Sequence, residues 1–112
     1  YIETSSTSSP LGDPIEVSAM TGAYKAFTDK KQFCALGALK PNIGGTDIAA
    51  GTTALIKAAL VLHNKEIPPC INHTQASPKI DFVNSPFYVN SSLKEWKSQK
   101  VRRVGINGFG MG

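Results

Sequence analysis

Apolar and polar positions divide the chain into two helical stretches, one continuous apolar run and a long irregular tail. Ile15, Met20, Ala23, Tyr24 and Phe27 recur near helical spacing, which predicts a helix from residue 13 or 14 to about 27 with those side chains facing a core. Asp13 reads as its cap, Pro14 as a first-turn residue and Glu16 as the return partner of a capping box. Residues 33–39 are almost wholly apolar between Lys30-Lys31 and Lys40-Pro41, the pattern of a strand buried on both faces. A loop over residues 41–45 leads to a second helix, capped by Thr46 or Asp47 and running to about Asn64. Ile48, Leu55, Ile56, Ala59, Leu60 and Leu62 are its expected buried side. Its small opening residues, Ala49, Ala50 and Gly51, admit close approach of another backbone.

The rest is more irregular. Tyr1 to Thr4 is strand-like, and residues 5–9 are five hydroxyl side chains in a row, a loop. Beyond Ile67, Pro68-Pro69, Ser77-Pro78 and Ser85-Pro86 punctuate a surface segment that contains one short strand at Phe87–Val89. From Val101 a basic strand enters a glycine-rich turn over residues 105–112. No internal repeat is visible. Strands alternating with helices define an α/β chain, but with too few strands to close a sheet and an end inside a turn, so part of a larger body is expected.

The 112 residues are about one small domain, able to bury roughly two-thirds of the unfolded surface. At 41% hydrophobic and 18% charged, with mean hydropathy −0.11, the chain is neither a disordered tail nor a disulfide scaffold. Its least charged stretch, residues 47–63, is interrupted by Asp47 and Lys57 and is too short and polar for a membrane span. The net charge of +4 is concentrated: Lys94, Lys97, Lys100, Arg102 and Arg103 are opposed locally only by Glu95. Such a cluster is a solvated face or, more sharply, a docking patch for an acidic partner. Trp96 is its lone aromatic, which argues against a nucleic-acid platform. Cys34 and Cys70 have no metal-ligand spacing with His63 or His73, and no signal peptide opens the chain. Free thiols in a reducing, cytoplasmic setting are therefore expected. The sequons at Asn72 and Asn90 carry no weight in that setting.

Residues 105–110, Gly-Ile-Asn-Gly-Phe-Gly, resemble the phosphate-binding turn of glyceraldehyde-3-phosphate dehydrogenases. That turn requires a helix behind it and belongs at the start of a nucleotide domain, so dinucleotide binding is not expected. A second resemblance uses the whole chain. Tyr1-Ile2-Glu3-Thr4, Pro10-Leu11-Gly12-Asp13-Pro14-Ile15-Glu16, Lys40-Pro41-Asn42-Ile43-Gly44, Ile67-Pro68-Pro69, Asn84-Ser85-Pro86-Phe87-Tyr88-Val89-Asn90 and Phe109-Gly110 follow in order. Together they resemble the C-terminal part of the ketosynthase (beta-ketoacyl synthase) domain of modular polyketide synthases. The resemblance implies a partial thiolase-like (condensing-enzyme) α/β fold, its C-terminal half, with all 112 residues in one incomplete domain. It implies decarboxylative Claisen condensation of an acyl thioester with a malonyl-type extender on an acyl carrier protein. Phosphopantetheine of that carrier is the substrate arm, no cofactor is bound directly, and the remainder of the domain and a homodimer mate are implied partners.

The departures matter as much. Where the family has Thr-His-Gly-Thr-Gly-Thr, this chain has residues 4–9, Thr-Ser-Ser-Thr-Ser-Ser, so Ser5 stands at the first catalytic histidine. Where it has Lys-Pro-Asn-Ile-Gly-His, this chain has Gly45 at the second. Lys40, the active-site lysine by resemblance, remains, as does Phe109-Gly110, the loop that gates substrate entry in relatives. The family's nucleophilic cysteine lies in an N-terminal portion, and neither Cys34 nor Cys70 occupies its motif. Serine is shorter than imidazole and gives no cation near neutral pH, so Ser5 is a poor replacement donor. The path of the loop is also expected to change, because Ser6 and Ser8 replace glycines. A degenerate, non-condensing segment that scaffolds or holds acyl chains is the leading expectation. Transacylation with a cysteine from an N-terminal half, and a stand-alone module docking an acidic carrier through Lys97, Lys100, Arg102 and Arg103, are the others.

Overall fold

The computed structural model describes residues 1–110; the end of the glycine-rich turn, residues 111–112, lies outside the described residues. Four short strands form one parallel sheet in the order β4-β2-β1-β6: β1 (Ile2–Glu3), β2 (Cys34–Gly37), β4 (Phe87–Val89) and β6 (Gly105–Ile106). Parallel neighbours need crossovers, and α1 (Gly12–Lys25) supplies the one between β1 and β2. A separate antiparallel ribbon joins β3 (Glu66–Ile67) to β5 (Lys94–Glu95), two strands whose length and polarity hide them from a periodicity search. Between β2 and β3 run α2 (Lys40–Ile43), a turn of 3-10 helix (Asp47–Ala49) and α3 (Ala50–Asn64).

β2 is buried along its whole length, as a strand covered on both faces should be. Ile2, Val17, Cys34, Leu36 and Phe87 form the cluster on one side, with Met20 and Tyr24 of α1 packed on it. Tyr24 meets the fully buried Phe87 ring edge-on at 5.1 Å. On the other side Tyr1, Ala35, Val61 and Ile67 cluster under Tyr88 and Trp96.

α3 turns a different face inward from the one its large apolar residues suggest, whereas α1 keeps Met20 and Tyr24 on the core as expected but not Ile15, Ala23 or Phe27. In α1 the buried residue is Val17, while Ile15 is exposed and Phe27, beyond the helix end, is 92% exposed. In α3 the buried residues are Ala54, Ala58 and Val61, whereas Leu55, Ile56 and Leu60 are each more than half exposed. Small side chains at helical spacing let α3 lie close to the sheet, and its bulky stripe faces away from this part of the fold. Ile48, also expected on the buried side, is 95% exposed in the 3-10 turn.

Local starts also differ from expectation. α1 begins after Leu11 without a side-chain bond from its cap residue; Ser9 Oγ instead accepts from the Leu11 and Gly12 amides at 3.3 and 3.0 Å. Asp13 and Glu16 turn away from capping: Asp13 holds the serine-rich loop, accepting from Ser6 Oγ at 2.7 Å and the Thr7 amide at 3.1 Å. The stretch expected as a loop after Lys40 is the single helical turn α2, with Pro41 in its first turn and Gly44 closing it at φ +82°. Ser8, which stands where the resemblance has a glycine, is held at φ 60°, the left-handed region that glycine occupies without Cβ strain. Ser8→Gly is therefore expected to stabilise the fold by up to about 1 kcal/mol, read as a higher urea midpoint at constant m.

Asn90 is fully buried and donates through Nδ2 to the carbonyls of Ile67, Pro68 and Ser92, which leaves no room for a glycan on that amide. Among the described residues no helix is long and apolar enough to cross a membrane.

Candidate functional site

The C-terminal ends of β1 and β2 set the site. Where β1 ends, Thr4 continues the pairing, its amide donating to the Gly37 carbonyl at 2.8 Å and its hydroxyl to the same oxygen at 2.9 Å. The chain then leaves the sheet at Ser5, while β2 runs through Ala38 and Leu39 into α2 and delivers Lys40 beside it. This is where a parallel sheet leaves its loops free to carry function.

Ser5 is half-buried. Its amide donates to Glu16 Oε1 at 2.8 Å, and the Lys40 ammonium donates to its carbonyl and stands 3.3 Å from its hydroxyl. Glu16 Oε1 also accepts from Asn107 Nδ2 at 2.8 Å, and the Asn107 amide donates to the Glu3 carbonyl at 2.9 Å. One carboxylate on α1 thus ties the loop after β1 to the loop after β6. Asp13 and Glu16, read from sequence as capping residues, are the loop anchors of the site. Their spacing on one face of α1 was visible, but their partners were not.

Two spaces adjoin this cluster. A cavity of about 710 Å³ is bordered by Ser6, Asp13, Lys40, Gly45, Cys70 and His73, with Leu36, Ile80 and Phe82 among its apolar walls. A much smaller void of about 20 Å³ lies among Ser5, Lys40, Gly44, Thr46 and Gly108. Gly45 is exposed, and a Cβ built on it meets nothing within 4 Å. Thr46 and Asp47, next along the chain, are both held at φ 44°. Strained backbone in a loop bordering a cavity marks a segment whose path is fixed by its surroundings.

The structure thus brings Ser5 and Lys40 into contact and sets Gly45 on a cavity wall that Lys40 shares. Phe109 is 76% exposed and Gly110 is exposed, but Gly108 reaches the small void and lies over Gly51, where the glycine pair permits close approach. The basic cluster lies apart from both spaces. Lys97 forms an exposed ion pair with Glu95 at 3.6 Å, Arg102 Nε donates to the Trp96 carbonyl at 2.9 Å, and Lys100 and Arg103 are exposed. Lys94 sits 5.0 Å from the centre of the Tyr88 ring. Among the described residues no three of His, Cys, Asp and Glu converge as metal ligands.

Sequence reasoning missed a buried charge pair behind the site. Glu3, 1% exposed, accepts from the Tyr1 phenol at 2.5 Å and pairs with Lys57 of α3 at 2.9 Å. Burial first, then the neighbouring Glu3 charge, pushes the Tyr1 phenol far above its ordinary range, so it remains a donor. Gly37 makes room for that ring, since a Cβ there would overlap the phenol oxygen.

The four-stranded parallel sheet with its crossover helices is the thiolase-like fold of ketosynthases. The whole chain superposes with TM-score 0.96 on ketosynthase twelve from the bacillaene polyketide synthase of Bacillus amyloliquefaciens, at 43% identity and covering 20% of that chain. The ketosynthase from module 6 of the bacillaene synthase of Bacillus subtilis 168 matches 98% of this chain with TM-score 0.95 at 41% identity, again over 20% of its own length. Residues 1–74 match the family described as Beta-ketoacyl synthase, C-terminal domain. Polyketide synthase PksN of Bacillus subtilis is 47% identical over the full chain, and 6-methylsalicylic acid synthase of Penicillium patulum is 36% identical over the same extent. The chain spans only 2% and 6% of those two relatives. It belongs to the beta-ketoacyl synthase family, as a segment of the ketosynthase domain found in polyketide synthases.

Proposed function

We propose that the chain is the C-terminal segment of a ketosynthase domain that handles acyl thioesters in a polyketide assembly line without condensing them. The observation that carries this reading is the pair of replacements at one site. Ser5 offers a short hydroxyl and Gly45 no side chain at the two positions where the resemblance places imidazoles; Ser5 touches Lys40, and Gly45 borders the same cavity as Lys40. Decarboxylation of a malonyl thioester builds an enolate, and its rate depends on donors already aimed at the developing charge. With both donors gone, Lys40 is the remaining cation, and its ammonium is directed at Ser5.

Holding without condensing needs only a cavity and an entrance. The larger cavity, with apolar walls and a polar rim, fits an acyl chain delivered on the phosphopantetheine arm of an acyl carrier protein. By the family resemblance the gate falls to Phe109 and Gly110, which follow Gly108 at the border of the smaller void. The outward stripe of Leu55, Ile56 and Leu60 supports a further element of the reading: the remainder of a ketosynthase domain covers α3.

The test is carbon dioxide release from a malonyl-carrier by the full-length polypeptide. A rate at least about a hundredfold below that of histidine-bearing relatives is expected, from the worth of one positioned donor. A comparable rate would overturn the non-condensing reading.

The exposed Lys97, Lys100 and Arg103 favour a second element, docking of the acidic carrier on this face. Reversing all three to Glu is expected to weaken carrier binding at low salt by about tenfold or more and to flatten its salt dependence, measured by titration at two ionic strengths. Arg102 is left in place because its guanidinium anchors the Trp96 carbonyl.

A further inference from the structure

Ser5 and Lys40 form a pair for which the non-condensing reading has no chemical task. Lys40 Nζ stands 3.3 Å from Ser5 Oγ and also donates to the Ser5 carbonyl. Among the described residues the ion pairs join Lys57 to Glu3 and Lys97 to Glu95, so no carboxylate claims Lys40. The titratable groups that share its two spaces are Glu3, Asp13, Glu16, Cys70 and His73. Three of them are engaged elsewhere: Glu3 by Tyr1 and Lys57, Asp13 by Ser6 and Thr7, and Glu16 by Ser5 and Asn107. The void beside the pair, about 20 Å³, is large enough for roughly one water-sized group. It is bounded by Gly44 and Gly108, which have no side chains to fill it.

A serine hydroxyl within reach of a lysine amine is one of the arrangements that activate oxygen for acyl transfer. We propose that Ser5 is an acyl acceptor and Lys40 its general base, a serine–lysine pair that takes an acyl group from a thioester and holds it as an oxygen ester. The neutral amine of Lys40 removes the hydroxyl proton as Ser5 Oγ bonds to the thioester carbonyl carbon. The carbon–sulfur bond then breaks, and the departing thiolate recovers that proton as a thiol. No electrons are gained or lost, and the products are the Ser5 ester and the free thiol. The step rests on the reading that this site handles acyl thioesters; Ser5 itself borders the smaller void, and its neighbours Thr4 and Ser6 border the larger cavity.

The experiment incubates the full-length polypeptide with the butanoyl thioester of N-acetylcysteamine and maps the added mass by peptide. The butanoyl group is expected on the peptide containing Ser5, stable to neutral hydroxylamine as an oxygen ester is. It is expected to vanish in Ser5→Ala and to form at least tenfold more slowly in Lys40→Arg, which keeps the cation and its donors but does not give up a proton. Ser5→Cys guards against a misfolded alanine variant: its acyl group, at the same position, is expected to become labile to neutral hydroxylamine. Butanoyl found only on a cysteine of the native polypeptide, or retained at this peptide in Ser5→Ala, would overturn the pair and leave the non-condensing reading to its carbon dioxide assay. A Ser5→Cys variant that takes no acyl group on its introduced thiol would also overturn it. Absence of acylation at every residue would overturn both the pair and the acyl-holding role.

Discussion

Replacing Ser5→His and Gly45→His together is expected to raise carbon dioxide release from a malonyl-carrier by at least about a hundredfold over the native full-length polypeptide, with each single variant well below the pair. The geometry permits it. Gly45 has open space where a Cβ would stand and does not share the positive φ of Gly44, so a side chain there needs no backbone change. Residue 5 is half-buried at the end of β1, beside Lys40 and anchored through its amide by Glu16, a contact that does not depend on its side chain. Measured as carbon dioxide from labelled malonyl-carrier, an unchanged rate in the double variant would mean that the missing imidazoles are not what limits the reaction.

How far the sequence foretold this arrangement depended on whether the information was local. The apolar run that became β2 was legible because burial on both faces leaves a compact signature, and β4 was legible as a short apolar run after Ser85-Pro86. The extents of the two long helices were legible as well, and so were Met20 and Tyr24 on the inward face of α1, but the inward face of α3 was not. A stripe such as Leu55, Ile56 and Leu60 states that something apolar covers it and does not state what. Here Ala54, Ala58 and Val61 meet the sheet instead. Asp13 and Glu16 were read as capping residues because that pairing is the commonest use of their spacing; a serine-rich loop and Asn107 outcompeted the helix amides. α2 was hidden by proline and glycine, residues that also mark loops. At the site, Ser5, Lys40 and Gly45 were found through family motifs, whereas the Ser5–Lys40 contact required the register of β1 against β2, which no local pattern encodes.

Lys57→Met is expected to be the most destabilising single change outside the core, at about 3–5 kcal/mol, because it strands a buried carboxylate. Glu3 is 1% exposed, and one of its oxygens already lacks a protein partner; without Lys57 its charge is balanced by no cation, with only the Tyr1 phenol donating to it. The double variant Glu3→Gln/Lys57→Met is expected to recover most of that loss, to within about 1–2 kcal/mol of the native protein, since the neutral amide still accepts from Tyr1 and no buried charge remains. Urea unfolding followed by circular dichroism reads both as midpoint shifts at constant m. A double variant no more stable than Lys57→Met would show that packing of the lysine stem, not charge, is what α3 contributes there.

The carboxylate of Glu16 has a consequence for motion. A single oxygen, Oε1, serves the amide of Ser5 and the side chain of Asn107, two segments far apart in the chain. An excursion of the glycine-rich loop that carries Asn107 away leaves Glu16 with Ser5 as its one remaining donor, and the tether that aligned the loop then only tightens on the serine segment. On the proposed roles of these two segments, opening at the entrance and firmness at the acyl position share a single oxygen on α1.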